Sequence, residues 1–223
     1  MSSASTPTTP HSPAAPPPSP LLALPAELRN TIYTHLLCPA HTRRPHAPAA
    51  AAPTPLTPAL LRVCRQIHAE ATGILYAGNT FAAHPALLTG LPSLAAADRP
   101  VVCAAMRARI RRWTLTVRLD TDPRFGAAEV AAAFSGAESL RVEVWQAQYR
   151  ASGLGVLRLF EGVRGVGEAW VRGSVEDRYA RWLERAMMSA EGEEVAEFVE
   201  EEEPVVYGSV NGKTYDMWVH GGR

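Results

Sequence analysis

The sequence has no net charge, few cysteines and no long apolar run, and each absence removes a class of function. Among its 223 residues 22 basic side chains balance 22 acidic ones. No global field therefore draws the chain onto nucleic acid or an anionic membrane, and any binding must be local. Lysine is almost missing, since Lys213 is the only one and every other basic residue is arginine. GC-rich coding, which also favours alanine, proline and glycine, accounts for that bias without a function. The cysteines Cys38, Cys64 and Cys103 are odd in number and form no CxxC, which argues against a disulfide framework and suits free thiols in a reducing compartment. Cytoplasm or nucleus is the expected address. No apolar run approaches the roughly 20 residues that span a bilayer, and the N-terminus lacks a basic-then-apolar signal pattern, so neither a membrane nor export is expected.

Catalytic signatures are missing too. There is no GxSxG elbow, and Gly212-Lys213-Thr214 lacks the earlier glycine of a GxxxxGK[S/T] loop, since position 207 is tyrosine. Gly162, Gly165 and Gly167 close a helical pattern and enter a strand, the reverse of the order a phosphate cradle needs. Cys64 and His68 stand in an apolar helical segment where packing explains the thiol. Two sets could hold a metal by residue type: His35, Cys38, His41 and His46, which suit zinc, and Asp120 with Asp122 after a strand. The first matches no usual finger spacing and is interrupted by Pro39 and Pro45, and the second reads as a turn before Pro123. No catalytic residue, cofactor or metal is expected, and a metal-dependent enzyme stands behind two non-enzymatic readings.

What is present begins with a Pro/Ser/Thr-rich tail, residues 1–20, too polar and proline-rich to offset chain entropy and so expected to be disordered. Thr6, Thr9, Ser12 and Ser19 each precede proline there, a pattern open to proline-directed phosphorylation. Two apolar helical segments follow, LLALPAELRNTIYTHLL and LTPALLRVCRQIHAEATGILYAGNTF, separated by a Pro/Ala-rich loop over 39–57 with the same disordered character. In the first, Leu24, Leu28, Ile32 and Leu36 recur every fourth residue and stack on one face, a predicted core stripe, behind a first-turn Pro25. In the second, Thr57 is the predicted cap and Pro58 the opening residue, with Leu60, Leu61, Cys64, Ile67, Ala71, Ile74 and Leu75 at helical spacing. Gly78 and Asn79 are expected to supply a left-handed stop.

The set Leu24-Pro25, Glu27-Leu28-Arg29, Ile32-Tyr33, Val63-Cys64-Arg65, Glu70, Tyr76, Asn79 and Phe81 resembles the F-box-like domain of filamentous fungi. The resemblance covers roughly a quarter of the chain. It implies a helical pair that docks on a Skp1-type adaptor of a cullin ubiquitin ligase. Leu21, Leu22, Pro25, Tyr33 and Leu37, which lie outside the predicted core stripe, would then be the adaptor contacts.

After Phe81 the stretch AAHPALLTGLPSLAAADRPVVCAAMRARIRR reads as two short helical patterns. The second ends in Arg107, Arg109, Arg111 and Arg112, which complement a helix C-terminus and lack the interleaved aromatics of a nucleic-acid patch. At Trp113 the period changes. Trp113, Leu115, Val117 and Leu119 alternate with Thr114, Thr116 and Arg118, the pattern of a half-buried strand. Stepping 27 residues from Leu115 and Val117 reaches Val142 and Val144, and 27 more reaches Ala169 and Val171, with helical candidates AAEVAAAFSG and GLGVLRLFEGV between. That spacing falls in the leucine-rich-repeat range of roughly 20 to 29 residues and predicts parallel strands with right-handed helical crossovers.

The opposite strand face would present Thr116, Arg118, Glu143, Trp145, Trp170 and Arg172. Because tryptophan and arginine dominate interface energetics, Arg118, Trp145, Trp170 and Arg172 are the candidate recognition residues. VEDRYARWLERAMMSA reads as a third crossover, with Tyr179, Trp182, Leu183 and Ala186 inward and Arg178 and Glu184 outward. The acidic tract EGEEVAEFVEEEEP follows as a solvated linker. Last, VVYGSV and KTYDMWV flank Asn211-Gly212, a hairpin signal and a candidate cover for the tryptophans.

The expected fold is thus α+β. An F-box-like helical pair spans 21–81, a repeat-like strand-helix region with a small, mainly parallel sheet spans 82–189, a linker spans 190–204 and a hairpin spans 205–223. The leading functional expectation is a non-enzymatic protein-protein interaction module that joins a Skp1-type adaptor to an unknown protein substrate. The alternative is a single fused domain whose helices are buried against the sheet, and burial of Leu21, Pro25 and Tyr33 distinguishes the two.

Overall fold

The first apolar segment forms helix α1 (Ala26–Leu37), which starts directly behind Pro25. The computed structural model describes residues 19–38, 56–94, 100–147 and 153–199. The second segment is not one helix: a 3₁₀ turn, Pro58–Arg62, is separated by extended Cys64 from helix α2 (Arg65–Gly78). Nor does α2 end in a left-handed stop, because Asn79 is extended at φ −105° and ψ 154°. The termination is made by a side chain instead: Asn79 Nδ2 donates to Leu75 O at 2.8 Å and to Leu37 O at 2.7 Å, satisfying a terminal carbonyl of each helix. Gly78 is required for space rather than conformation, since a Cβ there would lie 2.6 Å from Cys38 Sγ.

Where a helical pattern was expected after Phe81, the chain forms an antiparallel hairpin of β1 (Thr80–His84) and β2 (Leu88–Ser93). A short run of alanine and leucine fits either period, and tertiary pairing decides it. The tip is tied by His84 Nδ1, which accepts from the N–H groups of Ala86 and Leu87 at 3.1 Å. The expected second helix is one turn, α3 (Ala104–Arg107), so the basic run straddles its end and the next strand.

From there the strand-helix alternation unfolds as the sequence predicts: β3 (Arg112–Arg118), α4 (Ala127–Phe134), β4 (Ser139–Trp145), α5 (Gly155–Arg158), β5 (Glu168–Gly173) and α6 (Asp177–Met188). The sheet order is β2-β1-β3-β4-β5, and β1, β3, β4 and β5 run parallel, so the fold is mixed α/β around one mostly parallel sheet. The first repeat step is 27 residues, with Leu115 opposite Val142 and Val117 opposite Val144. The second is 29, with Leu140 opposite Ala169 and Val142 opposite Val171. A slip of two residues preserves the faces, so the inward set survives while its lateral partners change.

The inward face of Trp113, Leu115, Val117, Leu140, Val142 and Val171 is buried. Against it lie Val130 and Phe134 of α4, Leu157 of α5, Phe160, and Leu183 and Met187 of α6, all fully buried. Glu184, expected outward, turns to the sheet: its Oε1 accepts from Val171 N at 2.8 Å and from Arg172 Nη1 at 2.7 Å. An outer strand needs acceptors for its unpaired N–H groups, and this carboxylate supplies one. Between repeats, buried Gln146 donates to Ser174 O at 3.1 Å, tying the chain after β4 to the chain after β5.

The chain divides into two units, Met1–Gly192 and Glu193–Arg223. In the second, the described residues 193–199 form no helix or strand. The expected hairpin over 205–223, with its cover over the tryptophans, lies outside the described residues, as do the tail to residue 18 and the loop over 39–55. Among the described residues no helix is long and apolar enough to cross a membrane.

Candidate interaction surfaces

The helix pair closes a small core of its own. Tyr33, Leu37 and Cys38 of the first segment meet Ile67, Ala71 and Leu75 of α2, with Leu21, Leu22, Leu60 and Leu61 packed around them. Tyr33 and Leu37 are fully buried, whereas Leu28 is 53% exposed and Leu36 37% exposed. Helix α1 is therefore rotated from its expected setting. Tyr33 and Leu37 are core residues and not partner contacts, Leu21 and Leu22 are half-buried against the same cluster, and Pro25 alone of the five is exposed. The predicted core stripe is instead the outward one.

A polar clamp sets this rotation. Arg29 grips Glu70 with both arms, Nε to Oε2 at 2.9 Å and Nη2 to Oε1 at 2.7 Å. Tyr33 OH donates to Oε2 at 3.0 Å and Gln66 Nε2 to Oε1 at 3.0 Å, while Arg29 Nη1 reaches back to Leu24 O at 2.5 Å. Arg29, Tyr33 and Leu37 are four residues apart, so they lie on one helical face, and holding Arg29 against α2 turns that face inward. Bidentate arginine-carboxylate geometry fixes orientation as well as charge.

These donors, Arg29 first and then Gln66, hold the Glu70 carboxyl down to about 2 from its ordinary 4.5. A depressed carboxylate supports folding above its unfolded value, and that support fades as pH falls towards the folded one. Acid unfolding of the helix pair is thus expected to steepen between pH 4.5 and about 2. In Glu70→Gln the amide signals of α1 and α2 should show a flatter acid dependence across that window, together with lower stability at neutral pH. Equal acid profiles in the two proteins would remove the clamp from the account. The pair is partly solvated, with side chains 11% and 24% exposed, so salt should weaken the effect.

The other sequence candidates are placed in structural roles. Burial pushes the Cys38 thiol up, and its Sγ lies 3.3 Å from Ile74 O and 3.4 Å from Asn79 Nδ2. His35 is exposed, and His41 and His46 lie outside the described residues. His68 Nδ1 meets Leu61 O at 3.0 Å, a backbone contact rather than one to Cys64. Asp120 is held by Arg118 at 3.0 and 3.1 Å, which lowers its carboxyl pKa. Among the described residues no group of three or more metal-capable side chains converges.

Among the described residues, no element covers the sheet's second face. Its lateral rows are Thr114–Arg141–Trp170, Thr116–Glu143–Arg172 and Arg118–Trp145. The Arg118 guanidinium sits 4.7 Å from the Trp145 ring centre and that of Arg141 4.5 Å from Trp170. Arg141 was missed in the sequence because a uniform step of 27 sets Glu143 beside Trp170, whereas the true step of 29 brings Arg141 there. Trp145 is 47% and Trp170 37% exposed. Each indole is partly roofed by a cation, which lets it stand in water without forming a bare apolar patch. Arg172, held by Glu184, stands at the edge of the same face.

No protein-family model, no curated protein and no solved structure matches the chain. A functional reading therefore rests on the two surfaces and on the sequence resemblance that led to them.

Proposed function

We propose that the chain is a non-enzymatic protein-protein interaction protein that couples a Skp1-type adaptor, bound through α1, to a protein substrate bound on the open sheet face. The observation that carries this reading is the outward stripe of α1: Leu28 and Leu36 stay exposed, beside half-buried Ile32 and exposed Pro25, after the helix pair has completed its own core. An amphipathic helix offering apolar side chains at i, i+4 and i+8 suits a helix-in-groove partner. The F-box-like resemblance names the adaptor, and Pro25, Leu28, Ile32 and Leu36 take over the role first given to Tyr33 and Leu37. Arg118, Trp145, Trp170 and Arg172, joined by Arg141, are the substrate-side contacts. Such a role belongs to the cytoplasm or nucleus.

Full burial of Tyr33 favours the fused-domain alternative in which no adaptor docks. Its neighbours, however, are those of α2, and Pro25 is exposed rather than covered by the sheet. The test is retention of the full chain by a recombinant Skp1-type adaptor. Leu28→Asp with Leu36→Asp should weaken binding by about 2 kcal/mol or more, as for truncated interface anchors, while stability changes by less than about 0.5 kcal/mol. A folded chain that the adaptor never retains sinks the docking step.

A further inference from the structure

We infer that the upper half of β3 accepts an extended, uncharged peptide segment of a partner protein as an added strand. β3 pairs with β4 along all seven of its residues, but with β1 only from Arg112 to Thr114. The register of β1 shifts between Ala82 and His84, and Pro85 then ends its strand with a residue that has no N–H to pair. Above Thr114, alternate backbone groups of β3 on that side have no strand partner among the described residues.

A cleft lies beside this edge. Its lining includes Leu115 and Val117, whose side chains point to the covered face, together with Thr116 and Arg118, which point to the open face. Successive strand residues face opposite sides, so a space that touches all four reaches along the strand edge. Pro85, Ala86, Phe125 and Val156 add apolar lining. The cavity, about 240 Å³, is below the roughly 300–1,000 Å³ of small-molecule pockets, which favours a strand with one inserted side chain over a cofactor.

The outer edges of the sheet are managed. Glu184 occupies Val171 N on β5. On β2, Pro92 O accepts from Val101 N at 2.7 Å and Gly90 O accepts from Arg107. Among the described residues the upper stretch of β3 has no such contact on that side, and strand addition is how exposed edges bind extended peptides. Charge selects the occupant. Arg118 is neutralised by Asp120, and Asp122 offsets Arg124 at the rim, so neither an acidic nor a basic segment gains from the site.

None of the cleft's lining residues belongs to α1 or α2, so peptide capture and adaptor docking can fail separately. The experiment pans the full chain against a display library of random octapeptides, then measures the affinity of synthetic winners. Winners should alternate apolar and small polar residues. Ala86→Trp, which fills the cleft from an exposed turn, should weaken them by roughly tenfold or more, as should N-methylation of alternate peptide nitrogens. Leu28→Asp with Leu36→Asp should leave their affinity unchanged. Absence of enrichment, equal affinity for Ala86→Trp, or equal affinity of the N-methylated peptide would each overturn strand addition at β3.

Discussion

Replacing Phe134 by alanine is expected to cost about 3–5 kcal/mol of unfolding free energy, the range for a fully buried phenylalanine. Phe134 has no exposed surface and closes α4 onto the sheet. Its ring meets Trp113 of β3 edge-on at 6.0 Å and lies parallel to Phe160 at 6.4 Å, and Phe160 in turn meets Phe125 edge-on at 6.4 Å. One side chain thus ties together a strand, the crossover after it and the chain beyond the next crossover. Alanine leaves a void that β3 and α4 cannot both move to fill, because β3 is held by β4 along its length. Urea denaturation should show a lower midpoint with unchanged slope, since the loss lies in the folded state. Phe134→Leu, which keeps most of the volume, should cost about 1.5 kcal/mol or less. If alanine and leucine cost the same, the aromatic chain is not what joins these elements.

The same aromatic positions show what could be read in advance. From Trp113 to Arg118 the alternation of apolar and polar residues is strict, in β4 and β5 it is broken only by the outward Trp145 and Trp170, and it yielded β3, β4 and β5 and their inward faces. Lateral neighbours were less legible. Register depends on the connection between strands, and an even slip moves Trp170 from Glu143 to Arg141 without leaving any mark on the alternation. The β1–β2 hairpin was hidden in alanine and leucine that suit a helix equally well. Where the β1–β3 pairing ends had no signal at all, since it stops at Ala82 and Thr114 beside a register shift in β1.

On α1 the sequence offered two stripes, and hydropathy chose the wrong one. Leu24, Leu28, Ile32 and Leu36 are uniformly apolar, while the competing face carries Arg29, which an apolar-stripe criterion rejects. What decides the matter is Glu70, 41 residues away, which converts Arg29 from a surface charge into an anchor. The resembling residues Arg29, Tyr33, Glu70, Asn79, Tyr76 and Phe81 all prove to be structural in this chain. The first three form the clamp, Asn79 ties the two helix ends, and Tyr76 stacks on Phe81 at 5.6 Å where α2 enters the sheet. A motif that holds a helix in one rotation also determines which stripe faces outward, so its legibility in the sequence extends to the proposed docking surface only through the fold.

Tyr33→Ala therefore separates the two accounts of α1. With Tyr33 wholly buried among Ile67, Ala71 and Leu75, its truncation should cost about 3–5 kcal/mol, and hydrogen exchange should accelerate in α1 and α2 more than in β3 and β4. Tyr33→Phe keeps the ring and loses only the hydroxyl bond to Glu70, which still has Arg29 and Gln66, so its loss should be much smaller. Adaptor retention should track this order, failing in Tyr33→Ala through loss of the helix pair and persisting in Tyr33→Phe. Leu28→Asp with Leu36→Asp should show the opposite combination, a stable fold with no retention, because those side chains lie outside the core of the helix pair. Should Tyr33→Ala instead stay as stable as the parent while losing the adaptor, the ring would belong to the interface and the inward rotation of α1 would be wrong.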